Sequence, residues 1–317
     1  MGCHPTKNCY FCPIHETANH YTPLVNYSIE IIRLLAVVLI TFTHTRHNLE
    51  SGPAYVLLEE VPKYGTLILS VISGYLFWSK SRLEPGLVEK KVKSLVVPYL
   101  LANGLVLVLV TLVYLVLGFN YLNRLSFDFS LITEGLFSLN GPPINPPTYF
   151  VRDIFLIFVL MDVVFNRRWW LLLIFLPYAL FGKVLLRYDI LGLFVLGMIL
   201  AYRQPKAGKY TYSLLFAVLT IAALIWLPGY SKYPVAAFLF CFLLTLPLRF
   251  KRIGGFTYLL HLYHSPVMVM TYPLLAKWVP NTLLNIGLQI LLAVAFAWLL
   301  YRLSERWKPF KILSGGR

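Results

Sequence analysis

Residues 94–118, "SLVVPYLLANGLVLVLVTLVYLVLG", run for 25 positions without a single charged side chain. A helix rises about 1.5 Å per residue, so about 20 apolar residues are enough to cross the hydrocarbon of a bilayer. The stretch therefore predicts a transmembrane helix. Apolar runs recur on both sides of it, at 66–78, 154–165, 169–181, 190–201, 213–228, 234–248 and 282–300. Hydrophobic residues make up 58% of the 317-residue chain and charged residues 13%, with a mean hydropathy of +0.70. A soluble domain of this size has too little interior to hide that much apolar surface.

The pattern predicts an all-α fold, a polytopic membrane helical bundle of about ten transmembrane helices with both termini cytoplasmic. Spans are expected near 27–45, 62–79, 94–118, 148–166, 169–184, 187–202, 211–228, 234–250, 256–276 and 281–302. The formal charge of +15 does not point to nucleic acid, because Lys and Arg gather at alternate span ends. With this threading 19 basic residues fall on the cytoplasmic side and 7 on the outer side, which sets the orientation. No cleavable leader is expected, since the first apolar run begins near residue 29 after a polar tail. The chain divides into a cytosolic Cys/His-containing tail (1–26), a transmembrane domain (27–310) and a short cytosolic C-terminal tail (311–317). Between spans, Phe127–Phe137 reads as an interfacial amphipathic segment. Pro142, Pro143, Pro146 and Pro147 then impose an extended approach to the fourth span.

The first span carries charged and imidazole groups at both ends of its apolar stretch. Residues 30–47 read "EIIRLLAVVLITFTHTRH". Eleven residues at about 100° each bring Arg33 and His44 to one helix face, about 16 Å apart, with Val37 and Ile40 between them. Glu30, three residues before Arg33, is placed to pair with it. Spacing leaves two readings open: snorkelling of both residues to the two interfaces, or a face turned to a polar cavity.

Four further segments bear on that choice. They are "LSVISGYLFWSK" (69–80) with Ser73-Gly74-Tyr75, "KKVKSLVVPYLLAN" (90–103) with Pro98-Tyr99, "PTYFVRDIFLIFVL" (147–160) with Arg152-Asp153, and "IGGFTYLLHLYHSPVMV" (253–269) with Tyr258, His264 and Pro266. Together with an Arg, ten residues and a His on the first span, they resemble the acyltransferase 3 family of membrane acyltransferases. Tyr149 stands where that family usually has Trp, Thr257 replaces Ser and His261 replaces Tyr. The likeness extends over nearly the whole chain after residue 26.

The resemblance implies transfer of an acyl group, usually acetyl from acetyl-CoA, to a hydroxyl of a glycan or lipid-linked envelope sugar. It also implies a bacterial cytoplasmic (inner) membrane protein whose partners are the lipid bilayer, acyl-CoA and that acceptor. His44 is then the candidate general base, because a neutral imidazole can take the proton of an attacking hydroxyl. Arg33, held by Glu30, would bind the donor's phosphate or carbonyl with its guanidinium fork. A polar channel lined by the first helix would bring the two substrates together. Lys91 and Lys93, with Arg249, Lys251 and Arg252, could hold CoA phosphates, although topology and headgroups account for them equally. Arg152 and Asp153 read equally as a register-fixing ion pair or as acceptor-binding groups beside Tyr149. His264 is placed for acceptor binding or a structural hydrogen bond, and a metal on His261 and His264 lacks further ligands in the sequence. Ser73 and Gly74 read first as small residues for close packing, with Ser73 also a candidate substrate contact. A multi-span transporter or flippase is the alternative, but it would show broken spans in repeated halves, and no repeat is seen.

The N-terminal tail stands apart. Cys3, Cys9, Cys12 and His15 form Cys-x5-Cys-x2-Cys-x2-His, a pattern that could close a tetrahedral zinc site. A cytosolic tail keeps its thiols reduced, which argues against a disulfide. The competing reading is an unstructured thiol-bearing tail. Cys241, in the eighth span, is expected to be a small apolar filler.

Overall fold

The structure is a computed structural model that describes residues 27–122, 124–203, 207–246 and 253–316. The zinc-site candidates Cys3, Cys9, Cys12 and His15, and the basic residues Arg249, Lys251 and Arg252, lie outside the described residues. The described chain is helical and contains no strand. Its principal helices are α1 (Tyr27–Phe42), α2 (Tyr64–Leu76), α3 (Leu87–Leu117), α4 (Tyr149–Asn166), α5 (Trp169–Phe181), α6 (Tyr188–Arg203), α7 (Thr211–Trp226), α8 (Lys232–Thr245), α9 (Gly254–Trp278) and α10 (Thr282–Arg306).

These helices fall on the ten expected segments. Two of them, α3 and α10, are long and apolar enough to cross a membrane on length and composition alone. The apolar α5, α7 and α8 are shorter, between 10 and 17 residues. Length thus supports two of the ten expected crossings. α5 is weak for a local reason: Trp169–Phe175 winds as a 3-10 helix before one and a half α turns over Leu176–Phe181. The long run that opened the sequence ends where its composition requires. Gly118 takes a left-handed φ of 70° and caps α3 by donating to the Tyr114 carbonyl.

The bundle buries polar groups and turns apolar ones outward. Val108, Leu112, Leu115 and Val116 on α3 are exposed, while Asn103 on the same helix, Asp153 on α4 and Gln289 on α10 are fully buried. α2 lies against α6, α1 packs between α2 and α9, and α9 runs beside α10. The contact of α2 with α6 depends on glycine. A Cβ at Gly74 would sit 1.8 Å from the Phe194 carbonyl oxygen, and one at Gly197 would sit 2.1 Å from that of Val71. Small residues let the two backbones touch, as the sequence suggested for Gly74.

Two loop expectations change. The amphipathic segment at Phe127–Phe137 reduces to a single helical turn, Ser130–Thr133, among bends. Its backbone closes instead through a turn network in which Glu134 accepts from the amides of Asn140 and Gly141. The proline-rich approach to α4 is extended at Asn145 and then becomes a 3-10 turn over Pro146–Thr148.

Candidate active site

α1 stops at Phe42, two residues before His44. The expected helix to residue 45 is therefore too long, and two threonines show why. The Thr43 hydroxyl donates to the Ile40 carbonyl at 2.7 Å and that of Thr45 to Phe42 at 2.9 Å. The backbone follows with i to i−3 bonds, His44 N–H to Thr41 and Thr45 N–H to Phe42. Such local side-chain bonds compete with continued helix. His44 thus sits on a turn at the end of α1.

That turn is fixed from α10. Gln289 accepts from the Arg46 N–H at 2.9 Å and donates to the Arg46 carbonyl at 2.9 Å. It also donates to Asn285 Oδ1 at 2.8 Å. A buried carboxamide pairs here with both polar groups of one backbone residue, as a neighbouring strand would. Each bond left unmade would leave a buried group unsatisfied, at about 1–3 kcal/mol.

α9 supplies the other half of the site. His44 and His264 stand ring to ring, centroids 5.2 Å apart, and His261 follows at 6.3 Å from His264. His264 is fully buried, and its Nδ1 lies 2.8 Å from the Leu260 carbonyl. A carbonyl only accepts, so Nδ1 carries a proton, and Nε2 is left with no hydrogen-bond partner. Two residues on, Pro266 lies inside α9 and cannot donate to the carbonyl of Leu262. Asn145 makes up the loss: its Nδ2 donates to Leu262 O at 2.7 Å. Asn145 is held in turn by Asn103, whose Oδ1 accepts the Asn145 N–H at 3.1 Å and whose Nδ2 reaches Thr148.

Between these elements lies a cavity of about 550 Å³, lined by Thr43, His44, Asn145, Ser265, Arg46 and Arg124 among others, with an apolar wall from α3. His44 faces this cavity. The other end of the helix face is different. Arg33 pairs with Glu30 at 2.8 Å beside Gly254, where α9 begins. Val37 and Ile40, which separate the two ends, are 2% and 3% exposed. The face is therefore filled with protein between Arg33 and His44, and the polar channel expected along it is closed in this structure. Gly65 shows how tightly, since a Cβ there would meet the Ala36 carbonyl and the Ile40 side chain.

The remaining candidates lie away from the cavity. Arg152 and Asp153 are buried and paired at 2.5 Å, and they tie α4 to the connection before α6. Arg152 donates to the carbonyls of Lys183 and Val184 and stacks on Tyr178. Asp153 accepts from the amides of Leu186 and Arg187. Tyr149 accepts from Arg187 at 2.9 Å. The Ser73 hydroxyl bonds its own helix at Leu69. Lys91 lies over the Phe158 ring and Lys93 is exposed. No group of three His, Cys, Asp or Glu suited to a metal occurs among the described residues.

Residue spacing did not single out Gln289, Asn285, Asn103 or Asn145. A signal was present, since uncharged amides inside apolar spans must find partners.

A helical bundle with buried amides, and with a cavity histidine backed by a second, fully buried one, is the class this structure defines. The family model of an acyltransferase domain, that of the acyltransferase 3 family, matches residues 26–302. The chain belongs to this acyltransferase family. The match covers α1 to α10 almost entirely, and it lends no support to the transporter alternative. Comparison with curated proteins finds no match, and comparison with solved structures finds none either.

Proposed function

We propose that this protein is an integral membrane O-acyltransferase. It moves an acetyl or other short acyl group from acyl-CoA to a hydroxyl of a glycan or lipid-linked envelope sugar, with His44 as general base. One observation carries the reading: within an acyltransferase family chain, His44 lines the cavity and stands against the buried His264. The apolar exterior of the bundle supports membrane embedding, because outward Leu and Val side chains are stable in lipid and not in water. The membrane in this reading is a bacterial cytoplasmic one, as the family resemblance implies, and the distribution of Lys and Arg supports an orientation with the cavity towards its outer face.

In the reaction, the acceptor hydroxyl gives its proton to neutral His44 while its oxygen attacks the thioester carbonyl carbon. The C–S bond then breaks, and the leaving thiolate takes the proton back from the imidazolium. His264, whose free Nε2 is the only uncommitted nitrogen of its ring, orients the His44 side of the site. Arg33, fixed by Glu30, binds the donor at the opposite end of α1, and Lys91 and Lys93 add positive charge on that side. For a CoA thioester held there to reach His44, Val37 and Ile40 must part from their neighbours.

The test is acceptor-dependent release of CoA by the purified chain in nanodiscs, given acetyl-CoA and membrane glycan extracts. Release that disappears in His44→Ala is the expected result. Equal release by the variant removes His44 as base, and no release with any acceptor removes the enzyme reading.

A further inference from the structure

The cavity beside His44 is more than a slot for a neutral hydroxyl. Two arginines line it, Arg46 and Arg124, and no acidic residue does. Among the described residues neither arginine takes part in an ion pair. Both are nonetheless held in place. The Arg46 backbone is clamped by Gln289. Arg124 donates through Nη2 to the carbonyls of Pro142 and Pro143, 3.2 Å to the latter. Gly141 leaves the room this needs, because a Cβ there would lie 2.9 Å from Arg124 Nη1. Glu134, in the same loop, accepts from Asn140 and Gly141 and makes no ion pair with Arg124, although it lies within electrostatic reach of the Arg124 charge.

A third group is unsatisfied. Asn145 is 1% exposed and lines the cavity, and its Oδ1 has no hydrogen-bond partner. Its Nδ2 is committed to a carbonyl, so Oδ1 can only accept. A buried acceptor without a partner costs about 1–3 kcal/mol until a donor arrives. The opposite wall is apolar, with Val106, Leu109, Val110 and Val113 on α3 facing Val269 and Met270 on α9. These wall residues on α3 are only half-buried, and Leu117, four residues beyond Val113 on the same helix face, is exposed, so the wall runs out to the apolar surface at the end of α3.

We infer that the cavity binds an anionic amphiphile. A phosphate or similar anion lies between Arg46 and Arg124, where guanidinium forks suit it. The apolar chain follows the α3 wall, and a hydroxyl donates to Asn145 Oδ1 close to His44. The inference rests on the acyltransferase reading and deepens it: the acceptor is a hydroxyl compound carried on a phosphorylated lipid.

Native mass spectrometry of the full chain in detergent tests this, with dodecyl phosphate, dodecanol and inorganic phosphate as probes. Dodecyl phosphate is expected to bind at least about tenfold more tightly than dodecanol, the advantage of a charge-assisted anion contact. Equal binding of ester and alcohol overturns the anion site, and this comparison needs no variant. In R46Q/R124Q the tenfold gap is expected to close; undiminished ester binding there also overturns it. Val110→Trp, which fills the apolar wall, is expected to weaken the ester and leave inorganic phosphate unchanged. Inorganic phosphate that competes as well as the ester overturns the amphiphile and indicates a free anion. His44→Ala is expected to keep the ester bound, so failure of the general base and failure of this site are read separately.

Discussion

The two ends of α1 carry similar polar groups in opposite settings. At one end Arg33 is neutralised by Glu30 and remains partly exposed, its side chain 24% accessible, beside the first residue of α9. At the other end His44 has left the helix, faces a cavity of about 550 Å³ and is surrounded by His264, Arg46 and Arg124, with no acid among the lining residues. Between them Val37 and Ile40 are packed shut. An ion pair is self-sufficient and can rest at a surface. A histidine, two arginines outside any ion pair among the described residues and an unsatisfied amide oxygen line one cavity. Under the proposed function, recognition of the donor falls to the first end and chemistry on the acceptor to the second.

The largest effect should come from the end that does chemistry. His44→Ala is expected to lower kcat by about 10²–10⁴-fold, the range for loss of a general base, with little change in the thermal midpoint. Single-turnover measurement of CoA release checks it, and a change confined to KM would break the contrast. Next comes the clamp behind His44. Gln289→Leu leaves the Arg46 N–H and carbonyl and Asn285 short of partners, and it should cost about 3 kcal/mol of stability and lower kcat. Thermal unfolding with parallel kinetics reads both, and an unchanged kcat in a destabilised protein would confine Gln289 to structure.

A smaller effect is expected at the first end. Arg33→Ala should raise KM for acyl-CoA about tenfold, roughly 1.4 kcal/mol, and leave kcat nearly intact. A kcat loss equal to that of His44→Ala would show that the two ends act on the same step. The smallest effect belongs to the exposed pair of Glu89 with Arg168, on the same expected side as Arg33. The forked hydrogen bond from Arg168 holds the Glu89 carboxyl well down, at about 2 against an ordinary 4.5. A lowered folded value means the pair contributes fully above pH 4.5, and the contribution fades as pH falls towards 2. Because both groups meet solvent the effect is small and sensitive to salt. Thermal midpoints of wild type and Glu89→Gln, compared between pH 6 and about 2.5, should converge as pH falls through that range.

Part of the site was legible because it lay within one helix or one motif. Arg33 and Glu30 are three residues apart, and the pairing expected from spacing is present. His44 was legible as a candidate, but its place on a turn was not. Three threonines can be read either as helix or as helix terminators, and the hydrogen bonds chosen at Thr43 and Thr45 depend on what packs against the turn. Asn145 was hidden for a different reason. Its task is to satisfy the carbonyl that Pro266 frees 117 positions away from it, at Leu262, and no local pattern contains that pairing.

The amino-acid sequence by itself determined the helical class, the places of the ten segments and the family, because these follow from runs of apolar residues and from motifs short enough to read locally. Tertiary structure alone decided that the face between Arg33 and His44 is closed. It also decided that His44 meets His264, that Gln289 clamps the turn beside His44 and that Asn145 lines the cavity. The physical reason is that a buried amide or imidazole has several possible partners, and only the packing of distant helices selects one.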